Sequence, residues 1–176
     1  MKTIFPLFSL PALLLLCLLG IVPLALAKTP GEVEIGSTLR EARMQGLSGA
    51  SQNLSEFRGK PLIINVWASW CGPCRQEMDS LERLSRSKAG KQFALIGIST
   101  DDYPNAANAF LHKAKITFSH FIDSHLRLEN MLGADRLPLT ILVDAQGRVL
   151  GKFYGAKEWD SREALEMIEK AFSLQK

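Results

Sequence analysis

The chain has 176 residues, 47% of them hydrophobic, with 21 Lys and Arg against 18 Asp and Glu for a formal charge of +3. That length fits one ordinary domain with a real core. The near balance of charge, without any Lys/Arg run, excludes a nucleic-acid footprint.

No residue from Ile4 to Leu26 is charged; Lys2 precedes the stretch and Ala25-Leu26-Ala27 closes it. This is the pattern of a secretory signal peptide over 1–27 with a small-residue cleavage site. If it were kept, the same stretch would be long enough to anchor the chain in a membrane. Cys17 reads as an apolar filler, since Leu16 stands where a lipid-attachment signal carries a small residue. Removing Lys2 with the leader takes the charge from +3 to +2 and leaves two cysteines, Cys71 and Cys74. A single close pair is too local to staple a domain of this size, so it reads as working chemistry.

Residues 28–38 are polar and Gly-containing and read as a linker into a domain over 39–176. An edge strand is predicted over Leu39 to Met44, then a turn at Gly46 to Ser51. Asn53 caps a short helical turn over Leu54 to Phe57. Leu62 to Trp67 is apolar on both faces and β-branched, as in a central strand covered on both sides. A helix then runs to about Lys88, with Cys74, Met78, Leu81 and Leu84 on its inward face.

A second buried strand is predicted over Phe93 to Ser99, with Asp101 and Asp102 placed to cap a helix over Asn105 to Lys113. Ile116 to Ile122 reads as a short strand and Leu126 to Met131 as a short helix. Leu139 to Val143 and Arg148 to Phe153 flank the turn Asp144-Ala145-Gln146-Gly147. Asp160-Ser161-Arg162-Glu163 opens a last helix with Leu165, Ile168, Ala171 and Phe172 on one face. The order β-α-β-α-β-α-β-β-α gives an α/β fold with a mixed central sheet flanked by helices.

Trp70-Cys71-Gly72-Pro73-Cys74 follows a buried strand and opens a helix. Free backbone N–H groups and the positive dipole end at a helix start stabilise a thiolate at Cys71. Pro73 removes an N–H that would be orphaned there, and Gly72 keeps bulk away from the nucleophile. Cys74 falls one turn in and more enclosed, so Cys71 is the attacking thiol and Cys74 the resolving one. Half a zinc site would need two more ligands. His112, His120 and His125 lack metal-type spacing, and two of them flank a predicted strand as ordinary polar loop residues do. No metal and no cofactor beyond the Cys71–Cys74 disulfide is expected.

The run Pro61 to Met78, including Asn65-Val66-Trp67-Ala68-Ser69-Trp70-Cys71-Gly72-Pro73-Cys74-Arg75-Gln76-Glu77, closely resembles the TlpA/ResA-type branch of the thioredoxin-like oxidoreductases. The resemblance extends over about Glu34 to Phe172, with Leu137-Pro138-Leu139-Thr140 and the Asp144–Gly147 hairpin as further motifs. It implies a thioredoxin-like fold with an extra βα insertion, here Asp101 to His125, between the cysteine helix and a cis-proline. By that likeness Pro138 is the cis-proline facing the redox pair, and the backbone of Leu137 pairs with a substrate segment. The missing N–H of Pro138 then keeps metals and wrong contacts away.

Glu77 matches a glutamate that looks like the proton acceptor for the enclosed thiol. Asn65 stands where thioredoxin has a buried acid, a departure shared with this branch that shifts weight to Glu77. Trp67 and Trp70 are expected to pack the rim of the site. The implied activity is an exported thiol–disulfide oxidoreductase acting on protein thiols and disulfides. It would be fed by a membrane electron donor, with a link to cytochrome c maturation or periplasmic thiol repair.

Gly72-Pro73 matches the dipeptide of reducing thioredoxins and favours a reductase. An oxidase or isomerase uses the same parts. A peroxidase shares the insertion, but no Thr sits a few residues before Cys71. A binding module with a vestigial pair sits poorly with an intact Cys71, Cys74 and Pro138.

Overall fold

The computed structural model describes residues 30–174, so the leader and anchor readings of 1–27 lie outside the described residues. In chain order the elements are β1 (Arg43–Gly46), β2 (Gln52–Asn53), β3 (Leu62–Trp67), α1 (Gly72–Arg86), β4 (Ala94–Ser99) and α2 (Pro104–Ala114). There follow β5 (Ser119–Ile122), α3 (Arg127–Leu132), β6 (Leu139–Val143), β7 (Val149–Tyr154) and α4 (Arg162–Phe172). Two 3-10 turns, Leu54–Phe57 and Ala89–Gln92, complete them. The sheet order is β2-β1-β5-β4-β3-β6-β7, with β3, β4 and β5 parallel and the other pairings antiparallel.

β3 lies near the middle because it can bury everything: all six of its residues are buried. Burying each of Ile63, Ile64 and Val66 contributes about 1.5–3 kcal/mol. Alternation splits the strand between two cores. Leu62, Ile64 and Val66 pack with Leu128 and Leu132 of α3. Ile63 and Trp67 pack with α1, α2 and α4 through Met78, Leu81, Leu111 and Ile168. Asn65 shares that second face, which is where its polar side chain has to find partners.

The elements from β3 onward follow the predicted order, and the predicted insertion supplies α2 and β5. β5 slots between β4 and β1, so β1 lies inside the sheet and β2 forms the edge. The edge strand predicted over Leu39–Met44 is thus shifted to Arg43–Gly46. Gly46 closes it where a side chain would collide with the Gly49 and Ala50 carbonyls.

The predicted linker over 28–38 is corrected in its described part. Val33 is buried and its amide donates to the Met131 carbonyl at 2.8 Å. Gly36 N–H donates to Val149 O, and Ser37 O accepts from Val149 N–H, so this strap lies along β7. A polar composition hid one well-placed valine.

Asp101 and Asp102 do not cap α2, which starts at Pro104 with Tyr103 as its unassisted cap residue. Asp101 is engaged elsewhere, as described below. The last helix begins as predicted in kind: the Ser161 hydroxyl accepts from Ala164 N–H, whereas Asp160 pairs with Arg83.

Candidate active site

The redox pair sits where β3 hands over to α1. Cys71 is the cap residue of α1 and is joined to Cys74 by a disulfide of 2.04 Å with the Cα atoms 5.3 Å apart. Its Sγ accepts from the Cys74 amide at 3.2 Å, so the helix N-terminus points a donor at the sulfur expected to carry charge. Pro73 occupies the first helical turn, where its lack of an N–H costs nothing. A Cβ at Gly72 would meet nothing within 4 Å, so glycine leaves open space beside Cys71 rather than relieving a clash. Cys71 is 6% exposed and Cys74 fully buried.

The turn before Cys71 is braced from the insertion. Asp101, itself buried, accepts from Ser69 N–H at 2.9 Å, Ser69 Oγ–H at 2.6 Å and Ser99 Oγ–H at 2.7 Å. Cys71 N–H then donates to Ala68 O at 3.2 Å.

Trp70, Cys71, Gly72, Pro73 and Leu137 line one open groove of roughly 800 Å³. The Leu137–Pro138 peptide bond is cis, and Pro138 O accepts from Gly155 N–H at 2.9 Å. Trp70 is 71% exposed on the rim. Trp67 corrects the rim expectation. It is fully buried, and its Nε1–H donates to His120 Nδ1 at 3.1 Å.

His120 is no loop histidine either. It lies buried on β5, and a Cβ at Gly97 would overlap its ring. Burial pushes its pKa down to about 3, so it is neutral at physiological pH. His112 and His125 are exposed. Among the described residues no cluster of three His, Cys, Asp or Glu could hold a metal ion.

Glu77 lies on α1 one turn beyond Cys74 and is 1% exposed. Its Oε1 accepts from Asn65 Nδ2 at 2.7 Å. Its Oε2 accepts from Trp159 Nε1–H at 2.9 Å and Lys157 N–H at 3.1 Å. Asn65 Nδ2 also donates to Thr140 Oγ1 at 3.0 Å, while Asn65 Oδ1 has no partner among the described residues. Desolvation raises the Glu77 pKa, opposed in part by the Trp159 and Asn65 donors, the Lys157 amide and the Lys157 charge.

Ser80 ties the same loop to α1, its Oγ accepting from Trp159 N–H and donating to Glu77 O. Sequence reasoning found Glu77 and Asn65 but missed Trp159, Thr140, Ser69 and Asp101. These lie on separate elements, up to 94 positions apart (65 and 159), and no local spacing links them. The buried, uncharged pairing of Asn65 with an acid is the one signal that could have prompted a search for a further donor.

The Redoxin family profile matches residues 34–168. The thiol-disulfide oxidoreductase ResA of Geobacillus thermodenitrificans (strain NG80-2) is 30% identical over 139 residues, covering 78% of this chain and 79% of that protein. The thioredoxin-like protein YneN of Bacillus subtilis (strain 168) is 30% identical over 149 residues, covering 78% and 84%. Among solved structures, a secreted Mycobacterium tuberculosis disulfide oxidoreductase homologous to E. coli DsbE superposes with a TM-score of 0.63 at 22% identity. It covers 76% of this chain and 96% of its own, a likeness of fold.

Proposed function

Because this chain belongs to the Redoxin family and is a thiol–disulfide oxidoreductase of ResA type, we propose that it works as an exported disulfide reductase with Cys71 as nucleophile and Cys74 as resolving thiol. One observation carries this reading. The two sulfurs are bonded, yet one faces an open groove at a helix N-terminus and the other is buried beside a carboxylate-bearing turn.

In the reducing direction the Cys71 thiolate attacks one sulfur of the partner's disulfide. A Cys71–partner bond forms, the partner's own S–S bond breaks, and the released thiolate takes a proton from solvent. Cys74 then gives its proton to Glu77 and attacks Cys71 Sγ. The Cys71–Cys74 disulfide forms and the second partner sulfur leaves as a thiolate that takes up the proton held on Glu77. Two electrons thus pass to the partner, with one proton from solvent and one from Cys74 by way of Glu77. Glu77 suits the acceptor role because it is buried with neutral donors and its pKa is raised toward the working range. Leu137, in the groove lining just before the cis bond to Pro138, offers backbone to an extended partner segment.

Export rests on the uncharged Ile4 to Leu26 stretch and its small-residue end, cleaved or kept as an anchor. The partners are exported proteins with cysteine pairs, apocytochromes c among them, and a membrane donor re-reduces the enzyme. The deciding measurement is the reduction potential of the Cys71–Cys74 pair, equilibrated against dithiothreitol or glutathione. A value near roughly −270 mV, that of a dithiol reductant, agrees with the reading. A value near roughly −120 mV makes the protein a disulfide donor instead.

A further inference from the structure

Three non-glycine residues among those described have positive φ: Lys115, Leu126 and Ser173. Lys115 and Ser173 are C-caps of α2 and α4, where a left-handed residue is routine. Leu126 is different. It precedes α3 with φ 54° and ψ 26°, and the residue stays 38% exposed. Its Cβ opposes that backbone conformation, and a good part of its apolar surface is left in solvent.

The conformation is held from several sides. Leu126 N–H donates to Asp123 O at 2.9 Å, and the Asp123 carboxylate accepts from Arg127 N–H at 3.0 Å and Glu129 N–H at 2.8 Å. Leu126 O accepts from Asn130 N–H at 3.0 Å and from Asn130 Nδ2 at 2.6 Å. Glycine or asparagine would serve this turn without the steric penalty. The side chain therefore calls for its own reason, and strain of this kind concentrates at functional sites. Leu126 lines the groove that holds Cys71 and Trp70.

Among the described residues the same groove carries Asp102, Glu129 and Asp135 against a single cation, Arg136. That guanidinium lies over the Tyr154 ring, 4.6 Å from its centroid. The groove is thus acidic on a chain that is basic overall.

We infer that Leu126 is a specificity-determining residue: with Trp70 it forms an apolar lip that receives a hydrophobic side chain next to the reacting cysteine of a polypeptide substrate, and the surrounding carboxylates favour a cationic residue in that segment. The inference rests on the oxidoreductase reading above and adds the substrate class to it. The redox step is unchanged: the reduced pair becomes the Cys71–Cys74 disulfide as the peptide disulfide is reduced to two thiols.

The test uses the reduced protein and short end-blocked peptides with one cysteine held as a mixed disulfide with 2-mercaptoethanol. The residue beside that cysteine is Leu, Gly, Lys or Glu, and hydroxyethyl disulfide serves as the non-peptide reference. Second-order rate constants are expected to favour Leu over Gly by about tenfold, the scale of burying one apolar side chain. Lys should exceed Glu by several-fold at low salt, and the gap should close as ionic strength rises.

Leu126→Gly and Leu126→Asn both suit the turn and should bring the Leu/Gly ratio close to one without lowering the melting temperature. Leu126→Met should keep the ratio. A Leu/Gly ratio that persists in both Leu126→Gly and Leu126→Asn overturns the role of Leu126, and Glu peptides reacting as fast as Lys peptides overturn the charge preference. If neither the peptides nor hydroxyethyl disulfide is reduced, the oxidoreductase reading itself falls, a failure distinct from either of these.

Discussion

Helix α1 carries two buried glutamates five positions apart, and they have opposite characters. Glu82 meets the Thr117 amide at 2.8 Å, the Thr117 hydroxyl at 2.6 Å and the Arg86 guanidinium. Burial pushes its pKa up, but Thr117 and Arg86 outweigh that and hold it below the ordinary carboxylate value. Glu77 has as many donors, but all three are neutral, and burial wins. A carboxylate clasped to a cation is fixed in charge and serves the fold. One hydrogen-bonded only by neutral donors, with the Lys157 charge a lesser influence than burial, is left able to exchange a proton.

The sharpest way to break this contrast is through turnover. Glu77→Gln should slow thiol–disulfide exchange by ~10- to 100-fold, the lower part of the range for general acid–base groups, since water can still take the Cys74 proton. It should also flatten the pH profile. Glu82→Gln should stay within about twofold of the parent, because no proton step uses it. Stopped-flow rates for both variants across pH decide the matter, and equal losses would end the distinction.

Stability should separate the two with opposite signs. Glu77 binds its proton more tightly folded than unfolded, so it destabilises the fold as pH rises from 4.5 through its raised folded value. Glu77→Gln should therefore gain in urea midpoint against the parent at pH 8 and lose that advantage by pH 4. Glu82 contributes stability that is present above 4.5 and is lost as pH falls through its lowered value. Glu82→Gln should lose about 1–3 kcal/mol at pH 8, the usual scale for charge-assisted hydrogen bonds.

Two smaller changes sharpen the picture. Trp159→Phe keeps a ring in the core but removes a donor to Glu77, so the pH midpoint of exchange should move up. Carboxyl NMR of Glu77 reads the same shift directly. Arg86→Ala, whose side chain is 63% exposed, should cost Glu82 only a few tenths to about 1 kcal/mol of stability in denaturant titrations.

Much of this arrangement was legible because the informative signals are local. Leu62 to Trp67 announces a strand covered on both faces, and the Cys71–Cys74 pair at a strand-to-helix junction announces its chemistry. The Asp144–Gly147 turn likewise sets β6 against β7, as the 2.9 Å bond from Asp144 N–H to Arg148 O shows. What stayed hidden depends on tertiary choice among equivalent polar groups. Asp101 looks like a helix cap in sequence, but the hydroxyls of Ser69 and Ser99 claim it. Trp67 looks like a site residue by adjacency, yet the alternation of β3 turns it toward α1, α2 and α4. Leu126 reads as the first residue of a helix; only the dihedral angles show that it stands outside α3 in the left-handed region.

The three indoles occupy three distinct settings. Trp70 is mostly solvated beside the disulfide, Trp67 is buried against an imidazole, and Trp159 is buried with its N–H on Glu77. The molecule thus carries its own optical reporters. Emission from Trp70 should be red-shifted and should respond to opening of the neighbouring disulfide and to anything laid in the groove. Trp159 should emit to the blue and register the protonation of Glu77. A single cuvette, read at two wavelengths, can follow partner contact and proton transfer separately.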